Sequence, residues 1–126
     1  VMDELSAVFG TDVECPAVDV SRIAQEEWWT PGEKPAAVNA RGGELLSRLY
    51  ERAARPGATV FVGHSQLIRR LFQNYCEESF ASSPLGAKLQ RSVIANCAVL
   101  HLELQSLGST PQIADAKFLF GTGFHE

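Results

Sequence analysis

An α/β domain, with a mostly parallel sheet flanked by helices, is the fold class the sequence predicts, and three features predict it. A helix-period run opening at Pro35 ends at Pro56-Gly57 and feeds directly into the apolar stretch Val60-Phe61-Val62, the arrangement of a crossover connection. Gly63 and His64 then separate that stretch from a second helix-period segment carrying Leu67, Ile68, Leu71, Phe72 and Tyr75. Finally, Ser92 to Leu104 alternates Val93, Ala95, Cys97 and Val99 against Ile94, Ala98, Leu100 and Leu102, which reads as a strand with both faces mainly buried.

Taken in chain order, Met2, Leu5, Val8 and Phe9 share one face of a short first helix, and Gly10 to Pro16 is irregular. Ser21 caps a short helix through Glu27, after which Trp28 and Trp29 meet the turn signals Pro31 and Gly32. In the helix opened by Pro35, the apolar face comprises Val38, Gly42, Leu45, Leu46, Leu49 and Ala53. Arg48, Arg52 and Arg55 complement its C-terminal dipole. Glu77 to Lys88, with Ser82-Ser83-Pro84 and Gly86, is expected to be a polar loop with one helical turn at most. Lys117-Phe118-Leu119-Phe120-Gly121 closes the chain as a last short strand or an apolar tail docked on the core.

The chemistry concentrates at His64. In open parallel sheets the C-terminal ends of strands face the ligand crevice, and the unpaired N–H groups that open the next helix favour phosphate or carboxylate there. An imidazole beside them can donate to the anion or move a proton near neutral pH. Ser65, first residue of that helix, offers a backbone N–H to the same ligand.

Composition narrows the alternatives. With 45% hydrophobic and 21% charged residues, the 126-residue chain is globular and amounts to one domain or part of one. A net charge of -4 without a Lys/Arg cluster gives no footprint for nucleic acid. No apolar run approaches the roughly 18 residues a membrane span needs, so a soluble protein is expected. Cys15, Cys76 and Cys97 are odd in number and widely spaced, which indicates neither a disulfide framework nor zinc. A reducing, cytoplasmic setting fits them. Cys97 reads as a small buried hydrophobe and Asn96 as a hydrogen-bonded buried amide. His101 reads as a structural or edge residue and His125 as disordered or exposed; with His64 they have no metal-ligand spacing. Arg69 and Arg70 fall on a solvated face, opposite Leu67 and Leu71. The adjacent Trp28 and Trp29 place one ring in the core and the other at the surface.

The segment Thr59-Val60-Phe61-Val62-Gly63-His64-Ser65-Gln66-Leu67-Ile68-Arg69-Arg70 resembles the second-histidine motif of the histidine phosphatase, or phosphoglycerate-mutase-like, superfamily: a strand, a small residue, His, a small residue, a helix. Around it, Cys15-Pro16-Ala17-Val18-Asp19-Val20-Ser21-Arg22-Ile23 and Glu26-Glu27-Trp28-Trp29 are similar to the region before that motif in plant-type members. Arg41 matches an arginine early in the preceding helix, and Ile94-Ala95-Asn96-Cys97-Ala98-Val99 resembles a later strand with an Asn-Cys pair. The likeness covers most of this chain but not most of the family domain, because the Arg-His-Gly triplet that supplies the nucleophile occurs nowhere in it. Glu4 falls beyond the position of the family's acid and reads as a solvated helix-face carboxylate.

The resemblance implies that residues 1-126 are the C-terminal portion of a single three-layer domain that transfers phosphoryl groups from small phosphomonoesters through a phosphohistidine. His64 would be the second histidine, holding the phosphoryl oxygens with the Ser65 N–H, and neither metal nor organic cofactor is implied. As given, the chain is expected to be inactive. Two other readings stand beside this one: a non-catalytic remnant serving as a binding or structural module in a larger assembly, and an unrelated α/β protein with a chance Gly-His turn. Loss of a central strand would leave open sheet edges, so a companion fragment or self-association is expected to cover them.

Overall fold

The computed structural model describes residues 32–125, and the elements below lie within the compact unit Glu33–Glu126. The expected helices over Met2 to Phe9 and Ser21 to Glu27, the irregular stretch from Gly10 to Pro16, the Trp28-Trp29 pair, Glu4 and Cys15 lie outside the described residues.

Helix α1 spans Pro35–Ala53. Pro35 occupies the first turn, where its preset φ costs nothing and its missing N–H would have had no intrahelical partner. Arg52 sits in the last turn, where a cation is favourable, and the chain leaves the helix through Gly57 at φ +104. The expected apolar face holds in outline: Gly42, Gly43 and Leu46 are buried, and Val38, Leu45 and Leu49 are half-buried. Ala53, at the frayed end, is exposed.

Helix α2 runs Ser65–Tyr75, with Leu71 and Phe72 buried and Leu67, Ile68 and Tyr75 half-buried, as the 3.6-residue period requires. It lies close to α1 because two glycines permit it. A Cβ on Gly42 would stand 3.0 Å from a Leu71 methyl, and one on Gly43 2.8 Å from the Tyr75 hydroxyl.

The stretch expected as a loop instead forms two short helices, α3 at Glu78–Ala81 and α4 at Pro84–Leu89. Their signal was present in the sequence, in Ser83 followed by Pro84. The Ser83 hydroxyl accepts from the Gly86 N–H at 3.1 Å and donates to the Phe80 carbonyl at 2.6 Å, so one side chain caps α4 and ties it to α3.

Strands β1 (Val99–Gln105) and β2 (Gln112–Leu119) form an antiparallel hairpin. Its register pairs Leu100 with Phe118, His101 with Lys117, Leu102 with Ala116 and Glu103 with Asp115, and a bulge follows at Glu103/Leu104. Cys76 bridges Ile113 in parallel, and the Glu77 N–H donates to the Ile113 carbonyl at 2.9 Å, so the end of α2 is laced to β2. Helices α2, α3 and α4 pack on β2, and α1 packs on α2. The core they enclose is Leu46, Leu71, Phe72, Phe80, Leu89, Ile94, Ile113 and Ala116, each fully buried large side chain contributing about 1.5–3 kcal/mol.

The described residues are therefore mixed α/β, but the expected mostly parallel, three-layer sheet is not what they form. Their only sheet is the two-stranded antiparallel hairpin. Val60-Phe61-Val62 has no ladder partner among the described residues, and Val60 and Val62 are 82% and 88% exposed. An apolar run becomes a strand only when a neighbouring strand pairs with its N–H and C=O groups, and no described strand does so. The strand expected from Ser92 starts later, at Val99. Before it, Ile94 makes an isolated bridge to Phe124, and the Ala98 N–H donates to the Ala95 carbonyl at 3.2 Å, closing a turn. That turn puts Asn96 and Cys97 in solvent, Cys97 at φ +60, so neither is the buried residue expected. The outer face of β1 is exposed as well. Of the closing segment, Lys117, Phe118 and Leu119 end the strand β2 and Phe120-Gly121 turn into solvent; His101 lies on the edge strand β1 with its side chain exposed, and His125 is exposed.

Candidate functional site

His64 is the N-cap residue of α2, with extended backbone at φ -83 and ψ 149. Its carbonyl accepts from the Ile68 N–H at 3.1 Å, which closes the first turn, while its side chain makes no capping bond. In that geometry the N–H groups of Ser65, Gln66 and Leu67 have no partner within the helix. No acidic residue stands in the first turn either. The partial positive charge at this end of an 11-residue helix is thus met by no anionic side chain of its own first turn.

The approach to His64 is set by Phe61 and Gly63. A Cβ on Gly63 would lie 2.6 Å from the tip of the Phe61 ring, so the ring folds back over the glycine and would have to swing aside to admit a side chain there. Phe61 is half-buried and Gly63 and His64 are exposed, leaving the imidazole open to solvent beside the helix end. Ser65 is half-buried at the first helical position.

His64 and Ser65 therefore come together where the sequence places them, and the arrangement can hold an anion by an imidazole and two or three backbone N–H groups. Arg41 sits in α1, and its guanidinium pairs with Glu33. Arg69 is half-buried and Arg70 exposed, neither in an ion pair among the described residues. No group of three His, Cys, Asp or Glu able to hold a metal occurs among the described residues. A groove of about 660 Å³ runs along α1 past Gly43, Glu44, Arg48, Tyr75 and Thr110, and His64 does not line it.

Two features escaped the sequence reading. Tyr75, taken only as part of an apolar stripe, donates its hydroxyl to the Asn39 carbonyl at 2.6 Å and so joins α2 to α1. The outer face of the hairpin carries His101, Glu103, Asp115 and Lys117 in register. The alternation of polar with apolar residues from Val99 to Glu103 was its available signal. Of the two described cysteines, both free, Cys76 is half-buried and burial pushes its thiol up to about 11, whereas Cys97 is exposed. No helix among the described residues is long and apolar enough to cross a membrane. Comparison with protein-family models, with curated proteins and with solved structures returns no match for this chain.

Proposed function

We propose that this chain is the C-terminal portion of a histidine phosphatase-like enzyme in which His64 and the N–H of Ser65 hold the phosphoryl group during transfer. The observation that carries the reading is the capless N-terminus of α2: an exposed imidazole at the N-cap, beside N–H groups with no intrahelical partner and no acidic residue in the first turn. In the complete domain, a histidine from the segment that this chain lacks attacks phosphorus. The bond to the leaving alkoxide breaks, an acid protonates that oxygen, and water then cleaves the phosphohistidine to release phosphate. His64 donates to a non-bridging oxygen through both steps and stabilises charge as it spreads over the phosphoryl group. Substrates are small phosphomonoesters, and the free thiols of Cys76 and Cys97 agree with a cytoplasmic setting.

The bare flank formed by Val60 and Val62 favours a second reading, a non-catalytic module whose extended segment is covered by a partner. Two measurements separate the readings. Titration with inorganic phosphate, followed by amide shifts, is expected to move Ser65, Gln66 and Leu67 in the chain and not in its His64→Ala variant. Turnover of p-nitrophenyl phosphate is expected only when a polypeptide carrying an Arg-His-Gly strand is added, and only with His64 intact. Phosphate shifts absent, or insensitive to His64, would overturn the enzymatic reading and leave the module.

A further inference from the structure

On the outer face of the hairpin Glu103 stands opposite Asp115, so two carboxylates face each other, and His101 stands opposite Lys117, which offers the imidazole N–H no acceptor. A pair of like charges weakens a sheet rather than supporting it. Neither the His101 nor the Glu103 side chain has a hydrogen bond or ion pair among the described residues, and both residues are exposed. A complementary partner for them can come from the other edge of β1, which no described strand occupies.

The direction of that edge follows from Val99. Its N–H donates at 3.1 Å to Thr122 Oγ1, just past the end of β2, so Val99, His101 and Glu103 turn their backbone groups toward β2. Alternation then turns the N–H and C=O of Leu100, Leu102 and Leu104 outward, where no described strand pairs with them. A strand added here must keep the leucines on the core side and the polar residues on the outer side, which restricts the pairing to even shifts. If the added strand is β1 of a second copy, running antiparallel about a two-fold axis, three central registers satisfy this condition. Centred on His101, the pairing sets His101 against itself; centred on Glu103, it sets two carboxylates together. Centred on Leu102, it pairs Leu100 with Leu104, and His101 with Glu103, twice over by symmetry.

We propose that β1 is a self-association edge: two copies of this chain join through antiparallel β1 strands centred on Leu102, giving a four-stranded sheet in which His101 of each copy donates to Glu103 of the other. An imidazole donates to a carboxylate whether protonated or neutral, so the complementarity does not depend on its charge. The inference is independent of phosphate binding at His64. It is tested by sedimentation equilibrium of the full 126-residue chain, with His101→Glu, Glu103→Lys and the double variant carrying both changes. His101→Glu sets two carboxylates against each other at two symmetric positions, and Glu103→Lys removes the carboxylate that accepts from His101 at both; each is expected to weaken the dimer about tenfold, and the double variant, which pairs a carboxylate with an ammonium, to restore it. Circular dichroism checks that these surface variants remain folded. A chain that stays monomeric at high micromolar concentration, a dimer indifferent to the single changes, or one that the double variant fails to restore would each overturn the proposal.

Discussion

The Tyr75 hydroxyl donates to the Asn39 carbonyl across the junction of α1 and α2, and the same oxygen stands 2.8 Å from where a Cβ on Gly43 would lie. One bond and one glycine thus set how closely the two helices approach.

These two residues are predicted to be energetically coupled. Gly43→Ala gains about 1 kcal/mol of helix propensity but forces the phenol to move, for a net loss of about 1 kcal/mol. Tyr75→Phe forfeits one hydrogen bond, also about 1 kcal/mol. With the hydroxyl gone the nearest atom is the ring carbon that bore it, 3.3 Å from the alanine Cβ, a contact a small shift relieves, so the double variant should be about as stable as Tyr75→Phe alone. Urea denaturation of the four proteins measures the cycle, and simple additivity would show that the hydroxyl does not restrain position 43.

Core and bare flank should separate sharply. Leu46 and Phe72 are 0% and 1% exposed, and truncating either to Ala is predicted to cost about 2–5 kcal/mol through lost burial and an unfilled cavity. Val62, at 88% exposed, should tolerate Val62→Lys within about 0.5 kcal/mol in the chain alone. If the flank is covered in a complete domain, the same lysine should block restoration of activity by an added N-terminal segment. Denaturation midpoints give the first result, and complementation the second.

Gly86 is predicted to be irreplaceable. Its position beneath α3 leaves no room for a side chain, because a Cβ there would run into the Phe80 carbonyl oxygen, a backbone atom fixed by the Ser83 hydroxyl and the turn around it. Gly86→Ala should cost more than the roughly 1 kcal/mol lost on removing the cap by Ser83→Ala. Thermal denaturation of the two variants orders them, and the reverse order would contradict the packing.

What could be read from the sequence divides along a physical line. The helices of Pro35 and of Leu67 to Tyr75 were legible because period and local punctuation determine them. The capping of α4 by Ser83 was local too, but lay within a short polar stretch whose serines and proline also signal turns. Sheet structure was not legible in the same way, since alternation marks a residue's faces without naming its partner. The apolar Val60-Phe61-Val62 therefore read as a strand although no described strand pairs with it, and the Asn96-Cys97 turn was hidden inside an apparently continuous alternation. At the site, the position of His64 and Ser65 followed from the glycine and the helix period, whereas the Tyr75 bond to Asn39 spans 36 residues and depends on tertiary packing.

The two described cysteines should differ in reactivity and leave a mark on stability at high pH. Cys97 is exposed, while burial raises the Cys76 thiol from its ordinary 9.0 to about 11. A mild alkylating reagent at neutral pH is expected to label Cys97 first, with Cys76 protected until the chain unfolds. Between about pH 9 and 11 the unfolded chain releases the Cys76 proton before the folded one does. The native state then binds more protons, so stability falls as pH rises through that window, and Cys76→Ala should flatten the fall. Peptide mapping of the labelled protein and denaturation at several pH values check both expectations.

The absence of a side-chain cap on α2 predicts a trade between stability and binding. Serine at an N-cap accepts from the N–H of the second or third helical residue, a bond that the His64 imidazole does not make. His64→Ser should therefore stabilise the chain by about 0.5–1 kcal/mol. The inserted hydroxyl would take up one of the N–H groups proposed to hold phosphate and remove the imidazole that donates beside it, so phosphate affinity should fall in the same variant. His64→Ala is the control: it supplies no cap, should leave stability nearly unchanged at so exposed a position, and should lose phosphate equally. Thermal denaturation with and without inorganic phosphate reads both effects at once. A residue retained for binding at the expense of the helix gives opposite signs for stability and affinity in His64→Ser. If that variant is more stable and binds phosphate as the parent does, His64 is only an indifferent cap and the anion site lies elsewhere.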